Sequence, residues 1–214
     1  MNSANELSSS ANPARLVNAA RGGDRESLQQ LLALYVNYLK LLATSQLDNK
    51  LRARCSPSDL VQETLMEACR DFPMFRGSSE REFVVWLRKI LVNNMGRLVE
   101  QHVLTQKRDV RREVSLNNMR RSLEKSTMRL EAVLADHGES PSSNLQRRER
   151  AVILADHLAK LAPDHRQVVV LRNLESLPFN QVAIEMNRST GAVRMLWLRA
   201  IEQLRRSLSA EGLV

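Results

Sequence analysis

Leu28, Leu31, Leu32, Tyr35, Leu39 and Leu42 stand three or four residues apart. That spacing puts side chains on one face of an α-helix and commits the segment to a buried helical stripe. Phe83, Trp86, Leu87, Ile90 and Leu91 repeat it, and so do Val61, Thr64, Leu65, Ala68 and Phe72. Leu, Arg, Ala, Glu and Gln dominate the remainder and are good helix formers. Aromatics are only 4% and β-branched runs are scarce. The pattern predicts an all-α chain. At 214 residues it suits one large domain or two small ones, since domains usually run to about 100–150 residues.

Punctuation divides the chain further. We expect a disordered head at 1–12, a helical domain at 13–104, a basic flexible linker at 105–146, a second helical domain at 147–208 and a tail at 209–214. The break Arg21-Gly22-Gly23-Asp24 ends a first helix. Ser56-Pro57-Ser58-Asp59 is a strong helix start: Ser56 caps, Pro57 takes the first helical position, and Asp59 lies near the positive helix end. Pro73 and Gly77 stop that helix. The stretch His137 to Asn144, HGESPSSN, reads as linker, and Pro163 opens a supporting helix before Leu174.

The chain carries a net charge of +8, and +4 of it falls in residues 146–214. Small basic helical domains on a basic tether suit a polyanion such as DNA. Cys55 and Cys69 form no disulfide framework or metal spacing and read as reduced thiols. The polar N-terminus has no apolar core of a signal peptide. The longest uncharged stretch, Ser27–Leu39, is 13 residues, short of the roughly 18–20 a membrane helix needs. His102, His137, His157 and His165 are scattered, with no nucleophile, metal or phosphate-loop motif beside them. No catalytic residue, metal or cofactor is expected.

Phe179 to Leu204 fits a helix-turn-helix. Val182, Ala183 and Met186 belong to the first helix, and Asn187-Arg188-Ser189 is the turn. Asn187 tolerates positive φ and Ser189 caps the second helix. Val193, Trp197, Ala200, Ile201 and Leu204 point inward, which leaves Thr190, Arg194, Met195, Leu198 and Arg199 outward. On spacing alone this is equally an αα-hairpin with a basic exterior.

DLVQETLMEACRDFPMFRG (Asp59 to Gly77) and EFVVWLRKILVNNMGRLVEQH (Glu82 to His102) resemble region 2 of bacterial sigma factors of the extracytoplasmic-function class. Leu158 to Arg205 resembles their region 4. With Asn18–Tyr38 the likeness covers about three quarters of the chain, in the family's order. It implies a non-enzymatic cytoplasmic protein, associated with the nucleoid. Such a protein binds core RNA polymerase, recognises two promoter elements in DNA, and melts the start region. Many relatives are held inactive by an anti-sigma protein, which is a further partner the likeness admits.

Carried over by position, Asp59, Leu60, Gln62, Glu63 and Glu67 fall at the polymerase interface. On residues alone an ordinary solvated face is the plainer reading of that stripe. Phe75, Arg76, Gly77, Ser78, Ser79 and Asn93 fall at the melted minus-ten strand. An extruded base needs amide hydrogen bonds and a basic path for its backbone, and Arg88, Lys89 and Arg97 supply that path. Trp86 offers a stacking surface, but its spacing with Phe83, Leu87 and Ile90 favours core. Thr190, Gly191, Arg194, Met195, Leu198 and Arg199 fall at the minus-thirty-five duplex. Met195, Leu196 and Leu198 depart from the usual residues there, and apolar side chains still touch thymine methyls. Pro178 replaces the usual Ser/Thr cap.

The main alternative is a stand-alone helix-turn-helix regulator, with the first block as effector or dimerisation domain, which would bind a palindrome without polymerase. No heptad seam supports it. An RNA-binding helical protein would carry interleaved aromatic and glycine motifs that are missing here.

Overall fold

A computed structural model describes residues 12–47, 55–103, 121, 125 and 144–211. Every regular element among them is helical. The chain divides into two compact units, the first running to residue 120 and the second from residue 121. Most of the expected head and linker lies outside the described residues. Two boundaries differ from expectation. Asn12 is not head but helix cap, and the helix expected from 147 already begins at Asn144.

In the first unit, α1 (Pro13–Arg21) starts where Asn12 Oδ1 accepts from the Ala14 amide at 3.0 Å. Its side-chain oxygen satisfies an amide with no partner inside the helix. The chain then reverses through Gly23, whose φ of +96° suits glycine. Asp24 opens α2 (Arg25–Leu34) by accepting from the Glu26 amide at 3.1 Å and from Ser27 Oγ at 2.5 Å. The Leu28–Leu42 stripe does not form one helix. It turns at Tyr35 and continues as α3 (Val36–Gln46). Tyr35 is 1% exposed. Its hydroxyl donates to Glu80 Oε1 at 2.7 Å, and its ring lies 5.6 Å from that of Phe83. A buried Tyr hydroxyl requires such a partner, so the joint is fixed from a distant segment.

α4 (Pro57–Asp71) begins as its sequence predicts, with Ser56 Oγ accepting from the Asp59 amide at 3.1 Å. A 3-10 turn, Phe72–Met74, follows, and then α5 (Glu80–Val103). α1 packs on α2 and α5, and α4 packs on α2 and α5. Leu31, Leu39, Leu60, Leu87 and Leu91 fill the space between them.

In the second unit, α6 (Asn144–Lys160) leads to α7 (Pro163–Val169), which opens into a π turn at Val170–Leu174. The Arg166 guanidinium donates to the carbonyls of Leu158, Ala159 and Leu161, at 3.1, 2.8 and 3.1 Å. It therefore binds carbonyl oxygens at and just beyond the end of α6, where amide partners within the helix run out. α8 (Phe179–Glu185) and α9 (Thr190–Ser209) complete the unit. α9 packs on α6, α7 and α8 through Val193, Ala200, Leu204 and Leu208. His157 is buried and lies 3.0 Å from Ser207 Oγ and 3.1 Å from Glu211 Oε2, which ties the end of α9 to α6.

Candidate partner and nucleic-acid interfaces

The outer face of α4 carries Asp59, Gln62 and Glu63, all exposed, at the spacings that make helix neighbours. Met66 sits among them and is 74% exposed. The face is acidic with one apolar centre. Leu60 differs from the expectation drawn from its position: it is 1% exposed and belongs to the core with Val61 and Thr64. It supports the face from beneath and presents no surface of its own. Glu67 is also largely covered, with 17% of its side chain exposed, because Arg97 Nη2 from α5 reaches its Oε2 at 2.5 Å.

The turn after α4 is built on aromatic packing. Phe75 lies 5.7 Å from Phe72, 5.8 Å from Phe83 and 5.1 Å from Trp86, centroid to centroid. Phe75 is buried, so it shapes the turn and cannot serve as an open stacking surface. Trp86 is half-buried in the same cluster, which agrees with the core reading of its spacing. Gly77 is required here: a Cβ would collide with Phe75 Cζ and lie 2.8 Å from Glu82 Cβ.

Glu82 is the residue that sequence reasoning passed over. Its Oε2 accepts from the amides of Ser78 and Ser79, at 2.9 and 3.1 Å, and from Ser79 Oγ at 2.7 Å. Ser79 Oγ in turn accepts from the Glu82 amide at 3.3 Å. This is a capping box, and the Ser-x-x-Glu spacing was its signal. The Ser78 amide, followed by the Ser79 hydroxyl and amide, holds the Glu82 carboxyl below its ordinary range. Both serines therefore engage their own helix start, while Arg76 projects into solvent beside them.

Along α5, Lys89 and Arg97 are exposed and Asn93 is half-exposed; four-residue steps put all three on one side. Arg88 is half-buried. The adjacent Asn94 is buried instead. Its Nδ2 donates to Thr64 Oγ1 at 3.2 Å and its Oδ1 accepts from Arg97. The two asparagines are thus distinguished by environment: Asn94 holds helices together, and Asn93 remains accessible.

In the second unit, the turn between α8 and α9 has Asn187 at φ +50°, the left-handed conformation expected of it. Ser189 Oγ accepts from the Ala192 amide at 3.2 Å and starts α9. Pro178 precedes α8 without any side-chain cap bond. Trp197 Nε1 donates to Asn173 Oδ1 at 2.9 Å, and its ring meets Phe179 edge-on at 5.7 Å. Thr190 is half-exposed, while Gly191, Arg194, Met195, Leu198 and Arg199 are exposed. The Arg194 guanidinium lies 5.7 Å from the centroid of the Phe179 ring, within cation–π range. A shallow hollow between α8 and the start of α9 is lined by Asn180, Ile184, Arg188 and Thr190.

No group of residues that could hold a metal ion occurs among the described residues. No described helix is long and apolar enough to cross a membrane.

Residues 157–206 match the family model described as "Sigma-70, region 4". The segment runs from the end of α6 through most of α9 and contains the helix-turn-helix. Over a longer span, the chain is 29% identical to the ECF RNA polymerase sigma-E factor of Haemophilus influenzae, covering 88% of this chain and 91% of that protein. It is 28% identical to the ECF RNA polymerase sigma factor BldN of Streptomyces coelicolor, covering 94% and 67%. It is 25% identical to the RNA polymerase sigma-H factor of Pseudomonas aeruginosa, covering 91% and 92%. A chain of a solved RsbN-BldN complex aligns over 90% of this chain and 99% of that one at 23% identity, with a TM-score of 0.31, too low to speak for the arrangement of the units.

Proposed function

We infer from these matches, which span both units, that the chain belongs to the extracytoplasmic-function class of RNA polymerase sigma factors. It binds core RNA polymerase, recognises the minus-ten and minus-thirty-five promoter elements, and promotes DNA melting for transcription initiation. Its place of action is the bacterial cytoplasm, on the nucleoid, and its role is recognition rather than catalysis. The likeness to the sigma-E and sigma-H factors runs over 91% and 92% of those proteins, which the stand-alone regulator reading does not explain.

The observation that carries the reading is the position of the region 4 match, which falls on the helix-turn-helix of the second unit. In our assignment the polymerase meets the α4 face of Asp59, Gln62, Glu63 and Met66, with Glu67 at its edge. An acidic face around one apolar side chain fits a basic partner surface and repels DNA. Melted minus-ten DNA runs past Arg76 and along Lys89, Asn93 and Arg97, with Arg88 beneath. The Gly77–Ser79 turn sets the shape of that path. The first turns of α9 enter the major groove of the minus-thirty-five duplex. An anti-sigma protein is a further partner that membership of this class admits.

The test is capture of core RNA polymerase by the full chain, followed by run-off transcription from a promoter library. Polymerase-dependent initiation at a shared pair of elements supports the reading. Tight binding to a palindrome without polymerase, and no initiation, would replace it with the stand-alone regulator.

A further inference from the structure

We propose that Met195 and Leu198 are the residues of α9 that read the minus-thirty-five element, by enclosing thymine methyl groups, and that Arg194 and Arg199 bind the flanking phosphates. The proposal rests on the assignment of α9 to duplex DNA made above.

The argument begins with rotation about the helix. Successive residues turn by about 100°. Val193, Ala200 and Leu204 define the buried side of α9. Diametrically opposite stand Gly191, Met195, Leu198 and Glu202, which form the outermost ridge. Met195 is 51% and Leu198 52% exposed, so neither is used in the core. Arg194 and Arg199 are five residues apart, which places them about 140° apart around the axis. The two apolar side chains lie between them.

A helix lying in the major groove presents its outermost ridge to the base edges and its flanks to the two phosphate walls. Here the flanks are cationic. Arg194 is further held against the Phe179 ring, to the side of the ridge. The ridge itself has no hydrogen-bonding side chain before Glu202, so its first two turns cannot recognise guanine or adenine by the usual bidentate contacts. The thymine C5 methyl is the one apolar group on the major-groove edge. Burial of a water-exposed Met and Leu against it is the favourable contact available to this surface. Gly191 extends the same logic. A Cβ there would meet nothing within 4 Å, so packing does not demand glycine, and its bare backbone allows the helix start to settle close to the bases. Glu202 marks the other end, since a carboxylate is repelled by the groove; Arg206 Nε holds it at 2.9 Å. Reading is therefore confined to the turns between Thr190 and Arg199.

The experiment uses the complete chain with core polymerase. The preferred minus-thirty-five duplex is selected from a randomised pool, and each thymine is then replaced by uracil, which lacks only the methyl. The wild type should lose about fourfold in affinity at one or two positions, the worth of one buried methyl group. Met195→Ala should abolish that sensitivity at one position and Leu198→Ala at another, with unchanged thermal stability showing that both fold. Arg194→Ala and Arg199→Ala should weaken all sequences alike and leave the uracil sensitivity in place. A selected element without thymine, a wild type indifferent to uracil, or alanine variants with full uracil sensitivity would each overturn the proposal while leaving the sigma-factor reading intact. Failure to select any duplex while transcription still starts from a minus-ten element alone would overturn it too. Failure of both selection and initiation would overturn the functional reading with it.

Discussion

Arg97 on α5 reaches across to Glu67 on α4, with Nη2 and Oε2 2.5 Å apart. The same guanidinium donates to Asn94 Oδ1, Asn94 Nδ2 donates to Thr64 Oγ1, and the Thr64 hydroxyl donates to the Leu60 carbonyl at 2.8 Å. One polar chain therefore runs from the edge of the proposed polymerase face, through Arg97 on the proposed DNA side of α5, into the packed interior of α4. Glu67 and Arg97 neutralise each other, so neither offers a full free charge to a partner.

That chain separates two adjacent asparagines. Asn94→Ala removes the amide that donates to buried Thr64 Oγ1 and one acceptor of Arg97. It should cost ~1–3 kcal/mol, at about 0.5–1.5 kcal/mol for each of the two hydrogen bonds lost. Asn93→Ala touches a half-exposed side chain and should stay within ~0.5 kcal/mol of wild type. Thermal unfolding of both variants measures the difference. On templates with duplex or pre-opened minus-ten DNA, the order reverses: Asn93→Ala should lose initiation at one base position, and equal activity on all templates would mark Asn93 as ordinary surface.

The capping box at the start of α5 has a pH signature. The folded state holds the Glu82 carboxyl below its ordinary value of 4.5, so folding is favoured by the ionised form. This contribution is complete above 4.5 and is lost as pH falls through the lower folded-state value. Wild type and Glu82→Gln should therefore converge in Tm as the solution is acidified below that point, and differ by a constant amount near neutrality. A Tm difference independent of pH would show that the carboxylate does not hold the turn.

Gly77→Ala should disturb the same turn from the other side, because the added methyl meets the Phe75 ring and Glu82 Cβ. Overpacking of this kind typically costs ~1–3 kcal/mol. The expected outcome is lower Tm and impaired opening of duplex minus-ten DNA, with duplex minus-thirty-five binding unchanged. Gly191→Ala should behave oppositely. Nothing opposes its methyl, and alanine is favoured over glycine inside a helix by about 0.5–1 kcal/mol. The variant should melt at a higher temperature yet bind the minus-thirty-five duplex less tightly, as gel-shift titration against the wild type would show.

What the sequence disclosed and what it withheld follow from how local each determinant is. Ser56, Ser189 and Asn187 act within a few residues of themselves, and the cap bonds and positive φ appear where the sequence places them. The split of the Leu28–Leu42 stripe at Tyr35 was not legible, because it depends on Glu80 and Phe83, more than forty residues away. Asn93 and Asn94 look alike in sequence, and only Thr64, thirty residues earlier, distinguishes them. Phe75 and Leu60 sit within motifs that suggest contact with partners, yet an aromatic cluster claims one and the α4 core the other. Ser79-x-x-Glu82 is a local signal, but the same serines also suit DNA, and that reading eclipsed the cap.

The acidic face of α4 yields the last prediction. Asp59 and Glu63 are exposed and one helical turn apart, and no ion pair among the described residues engages either one. Their charges are therefore open to a basic partner in a way that the Glu67 charge is not. Asp59→Arg with Glu63→Arg should sharply weaken capture of core polymerase, while Glu67→Gln should have the smaller effect on capture. Freeing Arg97 in Glu67→Gln should also steepen the salt dependence of minus-ten DNA binding by up to about one unit of slope, the contribution of one added phosphate contact. Glu63→Arg leaves stability within ~0.5 kcal/mol and Asp59→Arg gives up a first-turn contribution of about 0.3–1 kcal/mol, so a fall in capture far larger than the fall in stability reports the interface. Met66→Ala should weaken capture without altering its salt dependence, because it removes apolar contact and no charge. Unchanged capture by the double arginine variant, at both low and moderate salt, would move the polymerase contact off this face.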